Sequence, residues 1–343
     1  MTKFIIRRLL QAIPTLIGIT LISFLLIQSA PGDPLTALTF NPEVSAEGTA
    51  RLRRQLGLDQ PAVTQYLYWL VGNDWAEIDV DGDGVGDING VRKGLLRGDL
   101  GNSVIQKRSV LELIMERIPA TLQLMLAALI VGYSVGIVLG LLAAARHGSV
   151  SDQLIRFFSV IGTALPAFWV GLLLIIIFSV KLGWLPLGGR RDLTSTNTSA
   201  AFVAWDIASH MILPVSVLAL GIIASISRYI RAEALEIMGQ DYIRTARAKG
   251  LHERAVFRLH VMRNALIPIA TFLGPALGSL IGGSVIIEQV FSWPGMGRMM
   301  ITAMLQRDFP LIMGVVLVSS VLFMIGLLIS DILYGVLDPR VRY

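Results

Sequence analysis

The sequence predicts an all-α integral membrane protein with six transmembrane helices and a long external segment after the first helix. Composition supports this class, because 54% of the 343 residues are hydrophobic and only 15% are charged, against about 25% charged in a soluble domain. The mean hydropathy of +0.68 agrees. Apolar runs of about 20 residues are long enough to cross a bilayer core of about 30 Å as helices. Six such runs occur, at residues 9–30, 119–145, 157–180, 207–227, 265–287 and 309–330.

The first run follows the basic sequence MTKFIIRR and is too long for the apolar region of a signal peptide, so it is interpreted as a retained span. Short loops rich in Lys and Arg stay in the cytoplasm. Basic residues of this kind are Lys3, Arg7, Arg8, Arg146, Arg156, Arg340 and Arg342. Both termini are therefore predicted to be cytoplasmic, as an even number of spans requires.

This orientation divides the chain into four parts. Residues 1–30 hold the cytoplasmic start and the first span, and residues 31–118 form the external segment. Residues 119–334 contain the other five spans, with a cytoplasmic loop at 231–264. Residues 335–343 form a cytoplasmic tail.

Glycine recurs within the spans, for example in GYSVGIVLG at 132–140. Small residues let helices approach closely, so this pattern indicates either plain helix packing or mobile packing around a pathway. Ionisable residues are almost absent from the spans, which argues against a proton-coupled or sodium-coupled carrier. Glu288 and Asp331 fall at span ends, where water or snorkelling would satisfy them, and His210 is interpreted as interfacial or packed.

Several classes of function are disfavoured by what the sequence lacks. The chain has no Cys and no G-x-x-x-x-G-K-[ST] phosphate loop, so it is not expected to hydrolyse ATP or to act as an enzyme. Its basic residues lie at the ends of apolar runs, which is not the pattern of a nucleic-acid-binding face. A transporter of this kind is either passive or obtains work from a partner. A secondary carrier, a channel and a membrane scaffold remain as alternatives.

The basic segment between residues 240 and 268 is where such a partner could bind. Its arginines and lysine are too costly to place in the bilayer, which fixes the segment in the cytoplasm. A short helix is predicted from Asp241 to the stop signal at Gly250, with Tyr242, Ala246 and Lys249 near one face. The competing interpretation is a basic helix that lies on anionic lipid.

At these residues the chain resembles the permease subunits of bacterial ABC importers, in the oligopeptide and dipeptide branch. DYIRTARAKGL at 241–251 and RNALIP at 263–268 are similar to that branch's cytoplasmic coupling loop. Arg244-Thr245-Ala246 replaces the Glu-Ala-Ala of many importers, a departure that the branch shares. Further similar stretches extend the resemblance over nearly the whole chain. They are GLLRGDLGNS at 94–103, ERIPATLQLML at 116–126, VFSWPGMGR at 290–298, RDFPLIMG at 307–314 and LDPRVRY at 337–343.

The resemblance implies the type I ABC importer permease fold, as the first of the branch's two permeases, in a bacterial plasma (inner) membrane. Its implied partners are a second permease, two ATPase subunits, an external binding protein, membrane lipid and a peptide substrate. Relatives in the branch also carry nickel, glutathione and oligosaccharides, so these solutes are alternatives. The implied ATPase-coupling residues are Asp241, Tyr242, Arg244, Thr245, Ala246, Lys249 and Gly250.

The resemblance is interrupted by GNDWAEIDVDGDGVGDINGVRK at 72–93, which looks inserted. Carboxylates at this alternating spacing, with a glycine at the sharp turn, are typical of a calcium loop. Gly90 stands where an EF-hand carries its bidentate Glu, so a full EF-hand is not predicted. The permease core itself is expected to hold no cofactor. The predicted Ca²⁺ ligands are Asp79, Asp81, Asp83, the Val85 carbonyl and Asp87, and the alternative is a flexible acidic turn.

Overall fold

The computed structural model describes residues 2–29, 46–55, 57–80, 85–269, 272, 276 and 284–337. Within these ranges the protein is mostly helical, and its one sheet is a two-stranded hairpin. The α-helices are α1 Thr2–Ser29, α2 Ala46–Gln55, α3 Ala62–Leu70, α4 Val110–Ala145, α5 Val150–Ala164, α6 Ala167–Leu174, α7 Ala200–Met238, α8 Asp241–Ala248, α9 Glu253–Val256, α10 Arg263–Ala265, α11 Met296–Gln306 and α12 Phe309–Leu337. The strands are β1 Glu77–Ile78 and β2 Ile88–Asn89.

Four helices in the described ranges are long and apolar enough to span a membrane: Ile5–Ser29, Val110–Ala145, Ala200–Met238 and Phe309–Ile332. They contain the predicted first, second, fourth and sixth spans. The predicted fifth span, 265–287, lies for most of its length outside the described residues. The count of six therefore stays a prediction.

The third predicted span, 157–180, is broken in the structure. Helix α5 and the helix that follows it, α6 extended by a π-helical turn at Ile175–Lys181, form a pair bent by 103°. The break falls at Leu165, whose backbone is extended (φ −81°, ψ 135°) immediately before Pro166. Proline disfavours helical geometry in the preceding residue, which accounts for the bend.

The chain divides into two compact units. The first comprises Met1–Ile5, Pro119–Arg298 and Leu322–Tyr343, and the second comprises Ile6–Ile118 and Met299–Val321.

In the first unit, glycines of α4 allow close contact with α7. A Cβ at Gly140 would lie 2.7 Å from the carbonyl oxygen of Ser227, and one at Gly132 would lie 2.7 Å from the side chain of Ile222. Met125, Leu129, Tyr133, Ile226, Ile230 and Ile269 form a buried cluster beside this contact. The repeated glycines of the second span thus serve helix packing, as small residues do between apolar helices.

A buried carboxylate in the same unit differs from expectation. Glu288 is fully buried, and it accepts hydrogen bonds from the Thr121 hydroxyl (2.8 Å) and from the backbone N–H of Arg298 (3.0 Å). The expectation that water or snorkelling would satisfy this residue was wrong. Its charge faces the N-terminus of α11, where backbone N–H groups lack helical partners.

The second unit packs α3 against α1 and the start of α12. Tyr66 and Trp69 of α3 form a buried cluster with Met313, and the Tyr66 hydroxyl lies 2.9 Å from that of Thr20. Asp308 accepts a hydrogen bond from the Ser103 hydroxyl in the same unit. These contacts order the segment between the first two apolar helices of the described chain.

Candidate functional site

The basic segment folds as predicted into a short helix, α8, followed by a turn. Gln240 occupies the N-cap position, and its side chain makes no capping hydrogen bond. After α8, the N–H of Gly250 bonds to the carbonyl of Arg247 (2.9 Å) and that of Leu251 to the carbonyl of Ala246 (3.3 Å). This pair of bonds is a Schellman motif, which requires a left-handed residue. Gly250 supplies it with φ +82°.

Helix α8 is fixed to the rest of the first unit by one apolar face. Ile243 is fully buried and Ala246 is 6% exposed. Both belong to a cluster with residues from the ends of α4 and α7 and from the segment after α8. Its other members are Ala144, Ala234, Ile237, Val256, Val261 and Ala265. Apolar contacts thus join α8 to two membrane-spanning helices, so a displacement of α8 acts directly on them.

The remaining surface of α8, together with the turn that follows it, is polar and open. Asp241, Tyr242, Arg244, Thr245, Lys249 and Gly250 are all exposed. Within this face the Arg244–Asp241 contact is loose, at 3.3 Å between strongly exposed side chains. Exposed pairs of this kind contribute little to stability, so these side chains can change partners.

One predicted coupling residue lies elsewhere. Ala246 points into the apolar cluster, whereas the other predicted coupling residues are exposed, and its contact with an ATPase stays a prediction. The reason is that the buried Ile243, three residues earlier, shares the inward face with Ala246. The six remaining predicted residues share the open side, and their contact with an ATPase stays a prediction.

Two ion pairs of the first unit were not anticipated. The Arg247 guanidinium pairs with Glu253 at 2.8 Å, which ties α8 to α9. The fully buried Asp152 forms a bidentate pair with Arg231, at 2.6 and 2.8 Å, between the start of α5 and α7. A sequence signal existed for half of this pair, since Ser149-x-x-Asp152 reads as an N-terminal capping pattern. No local pattern could identify Arg231, because it is 79 residues away.

The predicted calcium loop lies between the two strands. Glu77 pairs with Asn89 and Ile78 with Ile88 in antiparallel register, so the hairpin brings both ends of the acidic stretch together. The Asp87 carboxylate accepts a hydrogen bond from the backbone N–H of Val80 (2.8 Å). Asp81 and Asp83 lie outside the described residues, while Asp79, Val85 and Asp87 lie within them. Calcium binding stays a prediction.

The segment around the hairpin is held by polar contacts. Arg97 forms a bidentate pair with Asp74, at 2.7 and 2.6 Å. The Arg97 guanidinium, by hydrogen bonding, holds the pKa of the Asp74 carboxyl below its usual 3.8. Asn73 exchanges hydrogen bonds with the backbone of Arg92 through its own N–H (2.9 Å) and its side-chain oxygen (3.0 Å).

The chain is similar to known membrane transport proteins over its whole length. Residues 136–343 match the family described as the binding-protein-dependent transport system inner membrane component, and residues 1–125 match the N-terminal part of such membrane components. The oligopeptide transport system permease protein AppB of Bacillus subtilis is 44% identical over 344 residues, covering 100% of both chains. The dipeptide transport system permease protein DppB of Escherichia coli is 38% identical over 360 residues, covering 100% of this chain and 99% of that protein.

A solved structure shares the fold. The inward-facing MetNI methionine ABC transporter aligns with 66% of this chain and 97% of its own, with a TM-score of 0.52 and 17% identity. Such a likeness, at low identity, supports the helical permease architecture alone. The family match and the full-length relatives show that the chain belongs to the inner-membrane permeases of binding-protein-dependent ABC importers, in their oligopeptide and dipeptide branch.

Proposed function

We propose that this chain forms one half of a peptide translocation pathway and converts movement of an ATPase into movement of its own membrane helices. The observation that carries this proposal is the two-faced character of α8. Its buried face joins α4 and α7, and its open face presents Tyr242, Arg244 and Lys249. The peptide substrate is supported by the relatives, which are permeases for oligopeptides and dipeptides.

The proposed assembly contains a second permease, two ATPase subunits that hydrolyse ATP, and an external binding protein. Both termini and α8 face the cytoplasm on this proposal, because the basic residues of short loops concentrate there. Peptide delivered outside would enter by alternating access. Closure of the ATPase subunits would displace α8 and, through Ile243, the ends of α4 and α7.

The coupling proposal is tested by reversing charge on the open face. The double variant Arg244→Glu/Lys249→Glu is assembled with its partner chains in proteoliposomes. We expect peptide uptake and its stimulation of ATP hydrolysis to fall by about tenfold or more, because like charges placed at an interface oppose binding. Arg146→Glu, an exposed arginine between α4 and α5, is the matched control and should keep both activities.

Two results would contradict the proposal. If the double variant transports peptide normally, α8 is not the contact through which work is delivered. If the wild-type assembly hydrolyses ATP in response to another solute and never imports peptide, the substrate assignment fails while the coupling assignment stands.

A further inference from the structure

A large open cavity lies at the other end of the first unit from α8. Its volume is about 990 Å³, within the usual range for small-ligand sites. It is formed by the connection between α6 and α7, the first turns of α7 and the turn before α11. Its charged and titratable lining residues are Arg190, Arg191, Asp192, Asp206, His210 and Arg298.

The two carboxylates of the cavity already have partners. Asp206 accepts the backbone N–H of Asp192 at 2.8 Å and lies 3.2 Å from Nδ1 of the buried His210. Asp192 accepts hydrogen bonds from the hydroxyl (2.6 Å) and the backbone N–H (2.8 Å) of Thr194, and these hold its pKa below the usual value. Both aspartate side chains therefore already have partners that stabilise the loop.

Two of the three arginines make few contacts. Arg190 donates through Nε to the side chain of Gln123 (3.0 Å), and within the described residues its guanidinium forms no other hydrogen bond. Arg191 is exposed and, within the same residues, has neither a hydrogen bond nor a carboxylate partner. Three arginines against two aspartates leave an excess of one positive charge. An anionic ligand fits this balance.

The position of the cavity follows from α7. That helix has 39 residues and is about 58 Å long at 1.5 Å per residue, well beyond a bilayer core of about 30 Å. Asp206 and His210 lie near its first turns, whereas α8 follows its last residue, Met238. If α8 is cytoplasmic, the cavity opens on the external side.

We infer that this cavity binds the carboxylate of an incoming peptide through Arg191, with Arg190 beside it, at the external end of the pathway. The inference rests on the proposed function for its orientation and its substrate. A guanidinium pairs with a carboxylate through parallel N–H donors, which gives direction as well as attraction. The concave shape favours a small ligand over the convex surface of another protein.

The test measures binding of trialanine, and of trialanine amide, to the purified importer complex without its binding protein. We expect Arg191→Gln to weaken trialanine binding by about three- to tenfold, because one charged hydrogen-bond partner is lost. Binding of the amide, which lacks the carboxylate, should change by less than about twofold. Lys181→Gln is the matched control, since Lys181 is exposed close to the same connection and does not line the cavity.

Equal affinity of wild type and Arg191→Gln for trialanine would overturn the inference, as would absence of trialanine binding at millimolar concentrations. A third result would also overturn it: Arg191→Gln lowers uptake of both peptides equally, and a higher concentration of binding protein restores that uptake. The cavity would then be assigned to contact with the binding protein. Uptake of trialanine by the wild-type complex separates the two claims. If uptake is intact, only the carboxylate site fails; if peptide is never imported, the proposed function fails as well.

Discussion

Helix α8 and the segment from Gly72 to Asp99 are held in place by opposite kinds of contact. Helix α8 is fixed chiefly by apolar side chains such as Ile243, and apart from the Arg247–Glu253 pair its polar side chains are largely open. The 72–99 segment is fixed by hydrogen bonds and by the Asp74–Arg97 ion pair. Changes of polar residues should therefore alter partner contact at α8, whereas in the 72–99 segment they should alter the fold itself.

We expect Ile243→Ala to disturb α8 most strongly. Removing most of a fully buried Ile costs about 2–5 kcal/mol, so α8 should detach from α4 and α7. Faster hydrogen exchange over residues 241–249 and loss of ATPase stimulation should report it. Tyr242→Ala, on the open face, is the control and should leave exchange unchanged. Unchanged exchange in both variants would mean that the apolar face does not hold α8.

Calcium, where bound, adds a further polar contact to the 72–99 segment. If the loop binds Ca²⁺ with external-module affinity, calcium at ten to a hundred times the dissociation constant adds roughly 1–3 kcal/mol of stability. Calcium should then raise the thermal unfolding midpoint of the wild type. Asp81→Ala/Asp83→Ala should abolish that increase, while Asp59→Ala, outside the loop, should not. A calcium effect that survives in the double variant would refute the site.

Gly250 and Gly98 allow a matched comparison of the two regions. Both have positive φ, +82° and +79°, and a Cβ at either would meet nothing within 4 Å. Alanine at each should therefore cost about 1–2 kcal/mol through backbone strain alone. The two variants should lose similar stability in thermal unfolding, but only Gly250→Ala should reduce ATPase stimulation. A stronger transport defect in Gly98→Ala would contradict the division of roles.

The smallest expected effect is the pH response of the 72–99 segment. Since the folded pKa of Asp74 lies below its ordinary 3.8, the pair stabilises the segment above that pH. The contribution is lost as pH falls through the lower, folded value. Protection of residues 94–99 from pepsin should fall below about pH 4 in the wild type. The decrease should be weaker in Asp74→Asn.

Much of the architecture could be predicted because the signal for a membrane helix lies within a short stretch of sequence. A bilayer demands about 20 apolar residues and a fully bonded backbone, so the first, second, fourth and sixth spans were readable from composition. The sequence signals for helix α8 and for the turn at Gly250 were equally local. The sequence predicted one continuous span at 157–180, whereas the structure has a bend of 103° there. Pro166 marks the position of the bend but does not give its angle.

By itself the sequence determined the class of the protein, its family, the place of α8 and the basic character of the segment around it. Only the tertiary structure decided which face of α8 is buried, that Asp152 meets Arg231, and that Glu288 is fully enclosed against α11. The physical reason is separation along the chain. Propensity, turns and hydropathy act over a few residues, whereas Asp152 and Glu288 are buried against Arg231 and Thr121, which lie 79 and 167 positions away along the chain.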